Sequence, residues 1–194
     1  MRSFLAEVGK HFAVTAVYFA ILTLAYSVFN GWSRQVIFLW AGALAGAELP
    51  DLDHIAYAFL TYREAPTSRE VRKLAGENRL GEALSSIAEH HKDFEPVHLI
   101  THNCFMQAAF YAFAFCMVLS SGNLFWTGLA MSVLLHLLKD EWEDLRVLPG
   151  RLRSYLFRHF HRTPPLLVKA YVVTATALFV LLSVLIVFPV VSRG

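Results

Sequence analysis

Residues 36–54 read Val-Ile-Phe-Leu-Trp-Ala-Gly-Ala-Leu-Ala-Gly-Ala-Glu-Leu-Pro-Asp-Leu-Asp-His. An apolar run over 36–49 ends in four ionisable groups, Glu48, Asp51, Asp53 and His54, within seven residues. Charge at the end of such a run is costly in lipid and marks either a site or an exit from the membrane. Pro50 disfavours helix at Leu49 and suits the first position of a new helix. The chain is therefore expected to break at Leu49-Pro50 and restart with the acids in its first turn. Two carboxylates and an imidazole there suit a divalent metal. A capped helix start at the lipid boundary would use the same residues.

The surrounding chain has the same character. Of 194 residues 56% are hydrophobic and 16% charged, with a mean hydropathy of +0.47. That is too apolar for an ordinary soluble domain, and the apolar residues come in long blocks. The expectation is one all-α, polytopic membrane domain over 1–194. The net charge of +2 gives no reason to expect nucleic acid as a partner. Cys104 and Cys116 share one apolar block, and neither a disulfide between them nor a redox compartment follows. No signal peptide is expected: the first block lacks a small-x-small cleavage site and is long enough to remain as a span.

Five apolar blocks are candidate spans: residues 12–29, 36–49, 99–120, 124–138 and 166–191. The second is short, covering about 21 Å of a roughly 30 Å hydrocarbon core. Residues 61–97 form a polar insertion that reads as amphipathic helices interrupted by Gly76 and Gly81, and residues 139–165 form a basic segment. In the latter, Arg151, Arg153, Arg158 and Arg162 alternate with Leu152, Tyr155, Leu156 and Phe160, as in a helix lying on an anionic leaflet. Threading the five spans puts every Lys and Arg except Arg34 and Arg193, and all 15 acidic residues, on one side. By the positive-inside rule that side is cytoplasmic, with the N-terminus in and the C-terminus out.

The same threading gathers a constellation. His11 precedes the first span; Glu48, Asp51, Asp53 and His54 end the second. His98 and His102 open the third, and His136 and Asp140 close the fourth. His136 and Asp140, like His98 and His102, are spaced i, i+4 and share a helix face; Asp51 and His54 are i, i+3. Mixed carboxylate and imidazole ligands suit Zn²⁺, Mn²⁺ or Fe²⁺ better than Ca²⁺ or Mg²⁺, as one or two ions. Glu48 is a candidate general base. Glu141, Glu143 and Asp144 read as a solvated acidic edge, and His90 and His91 as surface residues.

Three elements in order, Pro50-Asp51-Leu52-Asp53-His54, Thr101-His102-Asn103 and His136-Leu137-Leu138-Lys139-Asp140, together resemble the membrane-bound metal-dependent hydrolase family, also described as LexA-binding inner-membrane hydrolases. That family is itself distantly similar to zinc-dependent phospholipase C and P1-type nucleases. The resemblance covers about residues 8–145, and Asn103 stands where the family has serine. It implies Asp51, Asp53, His54, His102, His136 and Asp140 as metal ligands, with His11 joining them. It also implies a bacterial or archaeal plasma-membrane location.

The chemistry expected is metal-dependent hydrolysis, with Zn²⁺ preferred and Glu48 and Asp53 as catalytic candidates. A membrane lipid or related amphiphile, cleaved at a phosphoester on the cytoplasmic face, is the expected substrate. The alternative is a non-catalytic scaffold whose helix ends a metal ties together. A transporter would place its charges nearer the bilayer midplane. The sequence has no His-Glu-x-x-His, no Gly-x-Ser-x-Gly and no phosphate-binding glycine loop.

Overall fold

The computed structural model describes residues 2–90, 100–120, 123–157, 160 and 163–189, with side chains described from residue 8 and, in the first stretch, to residue 87. All regular structure among them is helical. The order is α1 (Arg2–Asn30), α2 (Val36–Gly46), α3 (Leu52–Ala56) with a π-helical turn (Tyr57–Thr61), α4 (Pro66–Gly76), α5 (Leu80–His90), α6 (Cys104–Leu119), α7 (Leu124–Val147), α8 (Pro149–Leu156) and α9 (Pro165–Val187).

One core joins α1, α2, α6, α7 and α9, through Phe19, Leu39, Ala114, Leu134 and Phe179 among others. Two helices are long and apolar enough to cross a membrane, at Val8–Asn30 and Pro165–Val187, while Val36–Gly46 and Cys104–Leu119 are apolar but shorter. On α1, Val17, Ile21, Leu24 and Val28 form an outward stripe, each between 62% and 70% exposed. A continuous apolar face of this kind marks a surface for a membrane or for another protein.

α2 packs along α7 more extensively than any other pair of helices in the fold, and the two backbones touch. A Cβ added to Gly42 would stand 1.9 Å from the Phe125 carbonyl oxygen, and one added to Gly46 2.5 Å from that of Leu129. From the other side, a Cβ on Gly128 would stand 2.1 Å from the Leu39 oxygen. Later residues of α2 meet later residues of α7, so the two run parallel. Small residues four apart are how helices approach closely in lipid, where apolar burial supplies no drive.

Several expectations change in detail. The chain does not break sharply at Pro50. It leaves α2 through three-residue hydrogen bonds, Leu49 to Gly46, Asp51 to Glu48 and Asp53 to Pro50, so α3 begins at Leu52 rather than at the proline. Pro50 lacks an N–H, and the tight turn asks for none there. Gly76 closes α4 as expected, but Gly81 lies inside α5; the turn is made by Asn78 at φ 59°. Val71, Ala83 and Ile87 of the insertion pack with Tyr57 and Ala58 of the π-helical turn in a small separate core. α8 turns Leu152, Tyr155 and Leu156 onto Val168 and Val172 of α9, so its apolar face meets protein and not a leaflet. Cys104 and Cys116 are free, and Cys116 is exposed rather than buried. Arg158, His159, His161 and Arg162 lie outside the described residues.

Gly128→Leu is expected to force α2 off α7 and cost about 1–3 kcal/mol, the usual penalty of overpacking. Thermal unfolding in detergent should show a clearly lower midpoint, whereas Gly9→Ala, whose added methyl would meet nothing within 4 Å, should leave it unchanged or slightly raised. Equal midpoints for Gly128→Leu and wild type would contradict the contact.

Candidate metal centre

Four chain segments deliver the polar groups. His11 comes from α1, Glu48 and Asp51 from the turn after α2, His102 from the approach to α6, and His136 and Asp140 from α7. The close α2–α7 contact sets the register, because it carries the Ala47 carbonyl to within 2.5 Å of His136 Nδ1. A carbonyl only accepts, so Nδ1 carries a hydrogen and Nε2 faces the opposite way. There it meets Asp140 Oδ2 at 3.2 Å and Asp51 Oδ1 at 3.6 Å. Nε2 is buried and makes no hydrogen bond. Two carboxylate oxygens converging on one ring nitrogen call for positive charge there, either a proton on the ring or a metal ion. An imidazole whose second nitrogen donates to a backbone carbonyl is the usual form of a metal-binding histidine.

His11 is buried, and its Nδ1 lies 3.3 Å from Asp51 Oδ2 and 3.6 Å from Glu48 Oε1. Its ring stacks obliquely against His136, with centroids 4.0 Å apart. His102 presents Nε2 to Asp140 Oδ2 at 3.8 Å. Two groups of candidate ligand atoms converge, each within 4.8 Å: His11, Asp51 and His136, and His102, His136 and Asp140. Ligands about 2.1 Å from a tetrahedral ion lie about 3.4 Å from one another, whereas a charged hydrogen bond closes to about 2.8 Å. The nitrogen–oxygen separations of 3.2–3.8 Å in this cluster fit the first case. Both groups draw on His136, which has one lone pair to give. His136 can therefore serve only one ion.

Asp53 and His54, expected as ligands, are in neither group. Asp53 Oδ2 accepts from the Thr101 amide at 2.5 Å and its hydroxyl at 2.6 Å, and stands 3.4 Å from His102 Nδ1. Asp53 thus acts on the His102 ring and orients Nε2 toward Asp140. Burial works to raise the Asp53 carboxyl, but His102 and Thr101 outweigh it and hold it below its ordinary value. Asp51 is likewise opposed by burial and held below the carboxylate range by His11, His136 and His54. His54 lies behind the centre, with Nδ1 3.7 Å from Asp51 Oδ1. Asn103, in place of the family's serine, caps α6 by accepting from the Phe105 and Met106 amides.

No protein family, curated protein or solved structure matches the chain. The centre therefore rests on its own geometry.

Sequence reasoning missed four participants. Thr101 was visible only as a neighbour of His102. Lys139 reaches His11 Nε2 at 2.8 Å and Asp140 Oδ1 at 3.1 Å. The acidic edge proves largely buried: Glu141 is 1% and Asp144 9% exposed, and only Glu143 faces solvent. Glu141 takes a hydrogen bond from Gln107, which accepts one from Tyr171, and Asp144 lies 3.9 Å from Arg151. α7 continues past its apolar part because these partners receive its acids. His98 and His91 lie outside the described residues, and so does the side chain of His90.

The Asp53 contact carries a pH signature. Its folded-state carboxyl sits below the ordinary 3.8, so the stability it lends is full above that value and fades as pH falls through it. Asp53→Asn should melt lower than wild type at pH 7, and the gap should narrow progressively below pH 4. A gap that stays constant with pH would show that the charge contributes nothing.

Proposed function

We propose that the chain is a metal-dependent membrane hydrolase that cleaves a phosphoester of a lipid or other amphiphile at the cytoplasmic face. The observation that carries this reading is the spacing at His136: Nε2, oriented by the Ala47 carbonyl on Nδ1, faces Asp140 at 3.2 Å and Asp51 at 3.6 Å, separations that suit ligands of one ion. The outward apolar stripe of α1 and the apolar length of α9 support embedding in a membrane. The shorter helices α2 and α6, with the first part of α7, complete five spans in this reading. The one-sided charge of the sequence then puts the centre at the cytoplasmic face with the C-terminus outside, in a bacterial or archaeal plasma membrane as the family resemblance implies.

His136, Asp140, Asp51, His11 and His102 would hold the ion, and their nitrogen and oxygen donors suit Zn²⁺ first, then Mn²⁺ or Fe²⁺. When bound, such an ion supplies Lewis acidity at a phosphoryl oxygen and makes water a stronger acid. Glu48 is the chain's own proton acceptor: its Oε1 is buried, unbonded and beside His11. It would take a proton from the water that attacks phosphorus and return it to the departing ester oxygen as the P–O bond breaks, releasing an alcohol. Asp53 and Thr101 contribute by holding His102 in orientation.

One observation favours a second reading, a metal-tied scaffold: the donors come from four separate segments, so an ion there would fasten the bundle together. The two readings separate on turnover. Wild type loaded with zinc should hydrolyse a phosphoester amphiphile such as a lysophospholipid in mixed micelles. Glu48→Gln should retain zinc and lose about 10²-fold or more in kcat, the usual weight of a general base. A zinc-loaded wild type that is stabilised by the metal but turns over no ester in a phospholipid panel would leave the scaffold.

A further inference from the structure

Lys139 has no role in the reading above, yet it touches two of the candidate ligands. Its Nζ lies 2.8 Å from His11 Nε2, 3.1 Å from Asp140 Oδ1 and 3.7 Å from Glu143 Oε2. An ammonium group only donates, so His11 Nε2 gives it a lone pair, and the ring hydrogen then sits on Nδ1, facing Asp51. That tautomer cannot bind a metal through Nδ1. If His11 were to ligate through Nδ1, its hydrogen would move to Nε2 and confront the ammonium, donor against donor. If it were to ligate through Nε2, the lone pair would be withdrawn from Lys139. In both cases His11 cannot serve a metal and Lys139 together.

Lys139 therefore has to let go of His11 when the centre fills, and its next partner is already placed. Glu143 lies one turn further along the same face of α7. Lys139, Trp142, Glu143, Arg146 and Val147 line a groove of about 450 Å³ there. Trp142 is anchored by its indole N–H on Thr176 at 3.0 Å and offers its ring face to the Arg146 guanidinium at 6.0 Å. The groove thus has an apolar floor of Trp142 and Val147 and two cations, one of them adjoining the centre. Glu143 is the one acid among these lining residues. This suits an anionic head on an apolar body.

We propose that Lys139 is the anion-binding group of this site, held in reserve by His11 and Asp140, and turned to the groove when a metal ion takes His11. The ligand it receives there is the phosphate of an amphiphile whose apolar part lies on Trp142 and Val147. This rests on the metal reading and deepens it: the same side chain balances the carboxylates of the cluster and then serves the substrate. A fixed structural lysine would do only the first.

The test uses the full-length protein in detergent, with zinc alone and with dodecyl phosphate as the probe. Amine labelling at Lys139, read by mass spectrometry, should rise several-fold on adding zinc. Lys139→Met should bind zinc at least as tightly as wild type, because a competing cation is gone. The zinc-loaded Lys139→Met variant should bind dodecyl phosphate about tenfold more weakly or worse, the weight of one charge-assisted hydrogen bond, with recovery in Lys139→Arg. Inorganic phosphate should bind far more weakly than dodecyl phosphate; equal affinities would overturn the amphiphile. If wild type takes up no zinc, this inference falls together with the hydrolase. If zinc binds but labelling is unchanged, or Lys139→Met binds zinc more weakly, or it binds dodecyl phosphate as wild type does, Lys139 is structural and the metal reading stands without it.

Discussion

The contact of two helix backbones through Gly42, Gly46 and Gly128 is the constraint on which the rest of the structure depends. No side chain separates α2 from α7 at these positions, so the end of α2 is held at a fixed height on α7. That height puts the Ala47 carbonyl on His136 and brings the following turn, with Glu48 and Asp51, over the face that carries His136 and Asp140. A side chain at any of the three glycines would move these groups by more than the tolerance of a coordination shell. The centre is thus a consequence of helix packing, and its precision comes from backbone rather than from rotamers.

Charge balance is the second constraint. Asp51, Asp140 and Glu48 are drawn into a partly buried space with His11, His102 and His136. Buried carboxylates are tolerated only when cations or donors meet them. Lys139 meets Asp140, and imidazoles surround Asp51. Asp53 is satisfied separately, by Thr101 and the His102 ring. The arrangement divides the acids into those turned toward the shared gap and one that holds the His102 ring from behind. Metal centres commonly show this division between binding and orienting groups.

Much of this was legible in residue order. The apolar blocks predicted the helices that became α1 and α9, and the acid cluster after residue 46 marked the end of α2. The i, i+4 spacing put His136 and Asp140 on one face. The threading predicted that four segments would meet, and the structure brings them together. The division of labour between Asp51 and Asp53 was not legible, because the two carboxylates differ only in which side of a tight turn they face. The burial of Glu141 and Asp144 was hidden for a related reason. Charged residues after an apolar block read as solvated, and the partners that bury them, Gln107, Tyr171 and Arg151, lie far off in sequence. The Gly42-x-x-x-Gly46 spacing was the one available signal for the α2–α7 contact, and it points to close approach without naming the partner helix.

X-ray absorption at the zinc edge of the detergent-purified, zinc-loaded protein tests the centre most directly. The account predicts a first shell of nitrogen and oxygen near 2.0–2.1 Å with imidazole outer-shell scattering, and a reduced imidazole signal in His136→Ala. A spectrum of hydrated zinc with no imidazole contribution, identical in wild type and His136→Ala, would contradict it.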